Sequence, residues 1–141
     1  DSVTSVLDVG TGSGILGIAA ARLGARRVLG LEIDPEALKV AAKNLLRNGV
    51  AEIMSVSSIP LHQLDETYDL VIANLTAPVI VQMAAILCRS VSPEGLLLLS
   101  GILKGEVDEV VKSFRAYYFK ELDTRNMEEW RAILLSREEL A

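Results

Sequence analysis

The residues best suited to chemistry lie in one glycine-rich segment near the start of the printed chain. The segment D-V-G-T-G-S-G combines a carboxylate and a hydroxyl with three glycines at alternate positions: Asp8, Gly10, Thr11, Gly12 and Gly14. Glycines at this spacing permit a tight turn and let the backbone approach a ligand closely. Such a turn between a strand and a helix is typical of domains that bind a nucleotide-like cofactor. We therefore expect these five residues to contact a cofactor.

The elements on either side of this segment position the turn. The apolar residues of S-V-L-D-V predict the end of a buried strand, and the apolar spacing over residues Ile15–Ala21 predicts a helix. The pattern Gly12-x-Gly14-x-x-Gly17 also matches the fingerprint of dinucleotide-binding domains. The glycines alone therefore do not decide which cofactor is bound.

Asp8 and the end of the chain favour S-adenosylmethionine over NAD, whereas Glu32 indicates a ribose without distinguishing the two cofactors. Asp8 lies directly before the glycines, where its charge would repel a pyrophosphate and attract the ammonium group of the methionine moiety. The alternative is that Asp8 only accepts hydrogen bonds from the amides of the turn. Glu32 ends the second predicted strand and could accept hydrogen bonds from both ribose hydroxyls of either cofactor. The two strands predicted at the end of the chain suit methyltransferases better, by analogy of fold.

Three further residues are predicted to lie near the adenine ring. Ile33 follows Glu32 and could lie against the ring, or it could be an ordinary core residue. Ser58 and Ile59 lie in the loop after the third predicted strand. Many methyltransferases carry an acidic residue in that loop, where this chain has a serine. Ser58 is therefore predicted to contact the cofactor through a hydroxyl group in place of the usual carboxylate.

Asn74 is the candidate catalytic residue. It ends the apolar run D-L-V-I-A and precedes L-T-A-P. Because ligands of open α/β sheets bind beyond the carboxyl ends of the strands, Asn74 should face the binding crevice and the cofactor. Its side-chain carbonyl could accept a hydrogen bond from an attacking amine. The alternative is an asparagine that only caps its loop.

Composition narrows the class of protein. The chain has 141 residues, which suits one domain, and 50% of them are hydrophobic. The single cysteine, Cys88, cannot form a disulfide within the printed chain. With only one histidine, His62, besides this cysteine, we predict no zinc or histidine-ligated metal site. No apolar run is long enough to span a membrane, and the first printed residues carry no basic region typical of a signal peptide. We therefore expect a cytoplasmic protein without membrane contacts.

The net charge of −5 bears on possible partners. It argues against an extended basic surface for nucleic acid. An acidic enzyme would suit a basic protein substrate, although surface acidity also serves solubility.

The hydrophobic pattern predicts seven strands in an α/β fold. Helices separate the first five strands, and no helix separates the last two, which should pair antiparallel at one edge. The predicted strands are Val6–Val9, Val28–Glu32, Ile53–Val56, Asp69–Ala73, Leu96–Leu99, Tyr117–Leu122 and Trp130–Ser136. Asp34 and Pro35 should begin the second helix, a single helix should run from Pro78 to Leu87, and the turn at 92–95 should precede the fifth strand. The prediction is a doubly wound, mostly parallel sheet with a terminal antiparallel hairpin.

Four motifs together resemble the PrmA family of bacterial methyltransferases. They are D-V-G-T-G-S-G-I-L, D-L-V-I-A-N-L-T-A, S-G-I-L-K and E-E-W, and the resemblance extends from Val6 to about Arg137. It implies a Rossmann-like class I methyltransferase that uses S-adenosylmethionine to methylate lysine side chains and the N-terminal amine of a large-subunit ribosomal protein. The implied reaction needs a neutral amine, and His62, in a polar loop, is not placed to act as a base. Water or desolvation would remove the proton.

The resemblance also bears on domain organisation. The family carries a separate N-terminal domain and a glycine- and threonine-containing segment before the first strand, and nothing in the printed chain corresponds to either. Residues 1–141 are therefore interpreted as a methyltransferase domain, either the C-terminal catalytic part of a longer protein or a natural short relative. Alternatives remain an N-methyltransferase acting on RNA or a small molecule, a non-catalytic cofactor-binding module, and an NAD oxidoreductase. RNA enzymes usually follow the strand-four asparagine with a proline-aromatic cluster, which Leu75-Thr76-Ala77 does not provide.

Overall fold

One seven-stranded sheet forms the centre of the computed structural model, which describes residues 3–139. The strands are β1 (Ser5–Val9), β2 (Arg27–Leu31), β3 (Met54–Ser57), β4 (Tyr68–Asn74), β5 (Val91–Leu103), β6 (Phe119–Met127) and β7 (Trp130–Arg137). Their spatial order is β3-β2-β1-β4-β5-β7-β6. Neighbours among the first five are parallel, and β7 runs antiparallel to both β5 and β6. The predicted fold class is confirmed, while the ends of the predicted domain, residues 1–2 and 140–141, lie outside the described residues.

Helices cover both faces of this sheet. They are α1 (Ile15–Arg22), α2 (Pro35–Arg47), α3 (Ala77–Gln82), α4 (Ala84–Ser90) and α5 (Val107–Arg115). Successive residues of a strand point to opposite faces. Val6 accordingly packs in one core with residues of α1 and α2, and Leu7 packs in the other with residues of α3, α4 and α5. No helix between residues 3 and 139 is long and apolar enough to cross a membrane.

The start of α2 follows the sequence prediction. Asp34 is the N-cap, and its carboxylate accepts a hydrogen bond from the Glu36 amide at 3.0 Å. Pro35 occupies the first helical position, where its missing N–H costs no intrahelical hydrogen bond. This helix start also fixes the end of the loop that follows β2.

Two predicted elements differ in the structure. The helix predicted from Pro78 to Leu87 is two helices, interrupted at Met83. The apolar spacing of this segment is Val79, Met83, Ile86 and Leu87; the structure buries Leu87, together with Ile80 and Ala84, and it leaves Val79 exposed. The turn predicted at 92–95 lies within β5, as an irregularity between the pairs Tyr68–Val91 and Leu70–Leu96.

The terminal hairpin is longer than predicted. Its two strands extend to Met127 and Trp130, which are direct partners, so the turn between them has only two residues. Glu128 in this turn has a positive φ of 54°. The Lys104 amide donates a hydrogen bond to the Glu129 carbonyl at 2.8 Å, which ties the tip of the hairpin to the segment after β5.

Candidate active site

Two cavities lie at the carboxyl ends of the parallel strands, one on each side of the end of β4. The loop cavity, about 320 Å³, is lined by Val9, Gly10, Leu31, Glu32, Ile33, Ile59, Pro60, Leu61, Leu75, Val79 and Met83. The hairpin cavity, about 530 Å³, is lined by Asn74, Ser100, Gly101, Arg125, Asn126, Met127, Trp130, Arg131 and Ala132. Asn74 and Leu75 are consecutive residues, so the two cavities adjoin at this dipeptide.

The glycine loop is pinned to the end of β2. The amides of Gly10 and Thr11 both donate to the Leu31 carbonyl at 2.9 Å. Gly10 has a φ of +72°, and a Cβ there would lie 2.7 Å from Cδ2 of Leu75. A side chain at this position would be strained and would displace Leu75, so glycine is required where the loop meets the cavity.

Asp8 supports this loop from within. It is 1% exposed, and its Oδ2 accepts hydrogen bonds from the Thr11 hydroxyl at 2.7 Å and from the Gly17 amide at 3.1 Å. Burial raises the pKa of this carboxyl, and the nearby charge of Glu32 adds to the rise, while the two hydrogen bonds oppose it. The structure thus gives Asp8 the loop-holding role that was the alternative interpretation. Its direct contact with a ligand ammonium stays a prediction, and the oxygen left for that contact is Oδ1.

Five other predicted cofactor contacts are also absent from the lining of the loop cavity: Thr11, Gly12, Gly14, Ser58 and Asn74. The Thr11 side chain is buried against Gly30 of β2, where a Cβ would lie 2.9 Å from its hydroxyl oxygen. Gly14 is buried against Ile18 and Ala41, and it allows α1 and α2 to approach. Ser58 is exposed outside the cavity. Loop geometry turns Thr11 and Gly14 inward, and the residue after Ser58 lines the cavity, so contact of these residues with a cofactor stays a prediction.

Glu32 lies where the sequence predicts it, half-buried at the edge of the loop cavity. Its Oε1 accepts from the Gly12 amide at 2.9 Å, and its Oε2 accepts from the Asp34 amide at 3.1 Å. Each carboxylate oxygen has a second lone pair that remains for a ligand hydroxyl. Glu32 therefore joins the glycine loop to the start of α2 and can still accept hydrogen bonds from a diol.

Apolar residues form the rest of the loop cavity. Ile33, predicted near an adenine ring, is 83% exposed and lines this cavity together with Ile59. The sequence interpretation did not assign Leu61, Leu75, Val79 or Met83 to the site, although Val79 and Met83 were noted for their helical spacing. The sequence could have assigned Val79 and Met83 to the cavity only if the end of α3 at Gln82 had been known.

Asn74 lies in the hairpin cavity, as an exposed residue at the end of β4. Its Oδ1 accepts a hydrogen bond from the Ser100 hydroxyl at 3.1 Å. The opposite wall belongs to the terminal hairpin, including Trp130 and Arg131. The Arg131 guanidinium donates through Nη1 to the carbonyls of Glu128, at 2.7 Å, and Trp130, at 2.8 Å, which holds the hairpin turn in place.

These features limit the ligands that the site can hold. Among residues 3–139, no group of three His, Cys, Asp or Glu side chains is placed to hold a metal ion. The loop cavity instead offers an apolar slot, a backbone turn without a side chain at Gly10, and one carboxylate. This combination suits a nucleoside, with a carboxylate for the ribose hydroxyls and apolar walls for the base.

The sheet order, the glycine loop and the acidic residue after β2 define the class I methyltransferase fold. The structure is similar to that of ribosomal protein L11 methylase from Lactobacillus delbrueckii subsp. bulgaricus, with a TM-score of 0.92 and 29% identity over 98% of this chain and 72% of that chain. It is also similar to an RNA methyltransferase from Salinibacter ruber in complex with S-adenosyl-L-homocysteine, with a TM-score of 0.78 and 26% identity over 98% of this chain and 84% of that chain.

The family follows from the sequence comparison. Residues 1–138 match the family model "Ribosomal protein L11 methyltransferase (PrmA)", and the chain belongs to this family. It is 43% identical over 131 residues to the ribosomal protein L11 methyltransferase of Geotalea daltonii, which covers 93% of this chain and 42% of that relative. The chain thus spans less than half the length of the curated relatives that it matches. The family expected from the four sequence motifs is confirmed.

Proposed function

We propose that this chain is the catalytic domain of an S-adenosylmethionine-dependent methyltransferase that acts on amines of ribosomal protein L11, both lysine side chains and the α-amino group. The observation that carries the proposal is the dipeptide Asn74-Leu75. Leu75 lines a cavity suited to a nucleoside, and Asn74 lines a separate cavity that contains a hydrogen-bond acceptor for an amine. A methyl donor and an amine acceptor could therefore meet at the end of β4.

The residues of the loop cavity fit S-adenosylmethionine. Glu32 would accept hydrogen bonds from the ribose hydroxyls with its unused lone pairs, and Ile33 and Ile59 would contact the adenine ring. The exposed surface in front of Gly12, where an added Cβ would meet nothing within 4 Å, leaves space for the remainder of the cofactor. When bound, the cofactor supplies a methyl group on a sulfonium centre, which a neutral amine takes in one displacement that leaves a thioether.

Asn74 is the proposed catalytic residue. Its Oδ1 would accept a hydrogen bond from the acceptor amine and so aim the amine lone pair at the methyl group. A lysine amine has an ordinary pKa of about 10.4 and must lose a proton before it can react. His62 is exposed in the turn Leu61–Gln63 and does not line the hairpin cavity, so it is not a candidate base. Desolvation in this cavity, next to the cationic Arg125 and Arg131, would favour the neutral amine, with water accepting the proton.

The partner belongs to the proposal as well. A net charge of −5 would favour encounter with a basic protein, which suits a ribosomal protein better than an extended nucleic-acid surface. A ribosomal substrate in a bacterium would place the protein in the cytoplasm. We assign residues 1–141 to the methyltransferase domain and infer that substrate recognition in the relatives uses part of the length that this chain does not match.

Two measurements test the proposed function. Calorimetry should show that S-adenosylhomocysteine binds and that NAD and NADP do not. Labelled methyl groups from S-adenosylmethionine should then appear on amines of purified ribosomal protein L11, with ribosomal RNA as the competing acceptor. Methyl transfer to RNA alone would contradict the proposed protein acceptor. Tight binding of NAD would contradict S-adenosylmethionine as the cofactor.

A further inference from the structure

The end of β5 lies beside Asn74 and is irregular. Ser100 is the register partner of Asn74 in the parallel pair β4–β5. Between the pairs Leu99–Ile133 and Ile102–Arg131, β5 has two residues and β7 has one, so Ser100 and Gly101 stand opposite Ala132. This arrangement is a β-bulge, a feature that is enriched next to active sites, where it redirects a side chain.

The bulge places a hydroxyl group and a glycine backbone next to the side chain of Asn74. The Ser100 hydroxyl donates to Oδ1 of Asn74 at 3.1 Å, and the Leu75 amide donates to the Ser100 carbonyl at 3.2 Å. Gly101 has a φ of +84°, and a Cβ there would lie 2.9 Å from Oδ1 of Asn74 and 2.9 Å from the Leu75 carbonyl oxygen. Gly101 must therefore be glycine, because a side chain would be strained and would displace the Asn74 amide.

Asn74 makes no other hydrogen bond through its side chain with any residue between 3 and 139. Rotation of an asparagine amide about its last bond is only weakly restricted by its own geometry. An amide oxygen has two lone pairs. If Ser100 occupies one of them and so fixes the amide plane, the other lone pair remains in a defined direction for an incoming N–H group.

We propose that Ser100 and Gly101 are positioning residues that hold the carbonyl oxygen of Asn74 toward the acceptor amine. The inference rests on the proposed function, since it gives the Asn74 oxygen a partner in the hairpin cavity. Neither residue needs to touch the cofactor, because neither lines the loop cavity. Their effect should appear in the transfer step and in the behaviour of the Asn74 amide, while cofactor affinity should stay unchanged.

The test compares Ser100→Ala with two other variants. Ser100→Ala should slow methyl transfer to ribosomal protein L11 by about 10- to 100-fold, the effect of a poorly oriented reacting group. Ser100→Thr keeps the hydroxyl and should restore most of the rate. Ser92→Ala is the matched control, because Ser92 lies near the other end of β5, with its hydroxyl 3.4 Å from Asp69. It should transfer at the parent rate.

A second measurement does not need turnover. The side-chain amide signals of Asn74, assigned by their loss in Asn74→Ala, should shift in the NMR spectrum of Ser100→Ala and stay in place in Ser92→Ala. Parent-like signals or a parent-like rate in Ser100→Ala would overturn the positioning role. Absence of transfer by the parent chain would count against the proposed function, and the Asn74 signals would then still decide whether Ser100 orients this amide.

Discussion

The loop cavity is walled by connections that follow parallel strands, whereas the hairpin cavity is walled by a bulge in β5 and by the antiparallel pair β6–β7. In the loop cavity, the polar contacts join neighbouring connections, as where Glu32 accepts from the Gly12 and Asp34 amides. In the hairpin cavity, Ser100 donates to Asn74 between the adjacent strands β5 and β4, and the contacts of Arg131 stay within the hairpin turn.

If the proposed function is correct, this difference assigns the cofactor and the acceptor to walls built from different strands. The polar contacts of the loop cavity come from the segments after β1 and β2, where Glu32 accepts from the Gly12 and Asp34 amides. The walls of the hairpin cavity depend on the length and register of the terminal strands, of which β7 pairs with β5 and β6 pairs with β7, and neither pairs with the glycine loop. We therefore expect variants of the two cavities to separate cofactor binding from methyl transfer.

The largest expected effect concerns Glu32. Glu32→Ala removes two hydrogen bonds from ribose to a charged acceptor, each worth about 1.5–3 kcal/mol. A total loss of about 3 kcal/mol or more should weaken S-adenosylhomocysteine binding by at least about 100-fold. Titration calorimetry of the parent and the variant measures this change.

A matched control keeps the net charge equal. Glu36→Ala removes an exposed carboxylate on the first turn of α2, outside the loop cavity, and should bind the ligand nearly as the parent does. Glu32→Gln should remain weak, because its NH₂ group would face a backbone N–H donor of Gly12 or Asp34. Equal affinities for Glu32→Ala and Glu36→Ala would contradict the assignment of the ribose site.

The second prediction separates binding from chemistry at Asn74. Asn74→Ala should reduce the rate of methyl transfer by about 100-fold, because the attacking amine loses its orienting acceptor. Affinity for S-adenosylhomocysteine should change little, since Asn74 lines the hairpin cavity only. Single-turnover transfer to ribosomal protein L11 and calorimetry measure the two quantities. A parent rate in this variant would leave Asn74 as a loop residue without a catalytic role.

Much of the fold could be predicted because its signals are local. Apolar runs of strand length, the alternate glycines and the Asp34-Pro35 helix start each depend on a few adjacent residues, and the structure places strands, turn and helix where these signals stand. The break at Met83 and the bulge at Ser100-Gly101 were not predicted. Both depend on packing or register against residues far along the chain, which a hydrophobic pattern does not record.

The candidate site shows the same division. Asp8, Thr11 and Gly14 belong to the predicted loop, yet they face inward because the turn directs them there. The residue types predict a tight, hydrogen-bonded loop. Only the backbone geometry shows which atoms of that loop face a ligand. The walls of the hairpin cavity could not be predicted, because Trp130 and Arg131 reach Asn74 only through the pairing of β5 with β7.

The third prediction concerns the hairpin wall and is smaller. Arg131→Met removes both hydrogen bonds that the guanidinium donates to the carbonyls of Glu128 and Trp130. Both hydrogen bonds are exposed, and their loss should cost about 1 kcal/mol, or about fivefold in the KM for the protein acceptor. The affinity for S-adenosylhomocysteine should stay at the parent value. Arg115→Met, at the exposed end of α5 and outside both cavities, is the control. Weaker cofactor binding in Arg131→Met would show that the two cavities are coupled.

The smallest effect concerns Asp8, which supports the loop cavity from the core. Burial raises the pKa of this carboxyl above its ordinary value of 3.8, so the folded state binds a proton more readily than the unfolded chain does. The stability that comes from this difference is complete below the unfolded pKa, and it is lost as the pH rises through the folded pKa. Above the folded pKa, the ionised, buried carboxylate therefore carries a cost that a neutral side chain of the same shape would avoid.

Asp8→Asn tests this cost directly. Both hydrogen bonds to Asp8 end on the single oxygen Oδ2, and the carbonyl of an asparagine in that position could accept from Thr11 and Gly17 alike. The variant should fold, and its free energy of unfolding relative to the parent should rise as the pH increases from the ordinary pKa of 3.8 through the raised folded pKa of Asp8. Urea unfolding at several pH values measures this difference. A variant that becomes less stable than the parent as the pH rises would show that the fold stabilises the Asp8 anion, and the inward-facing carboxylate would then be held by contacts stronger than the desolvation that opposes them.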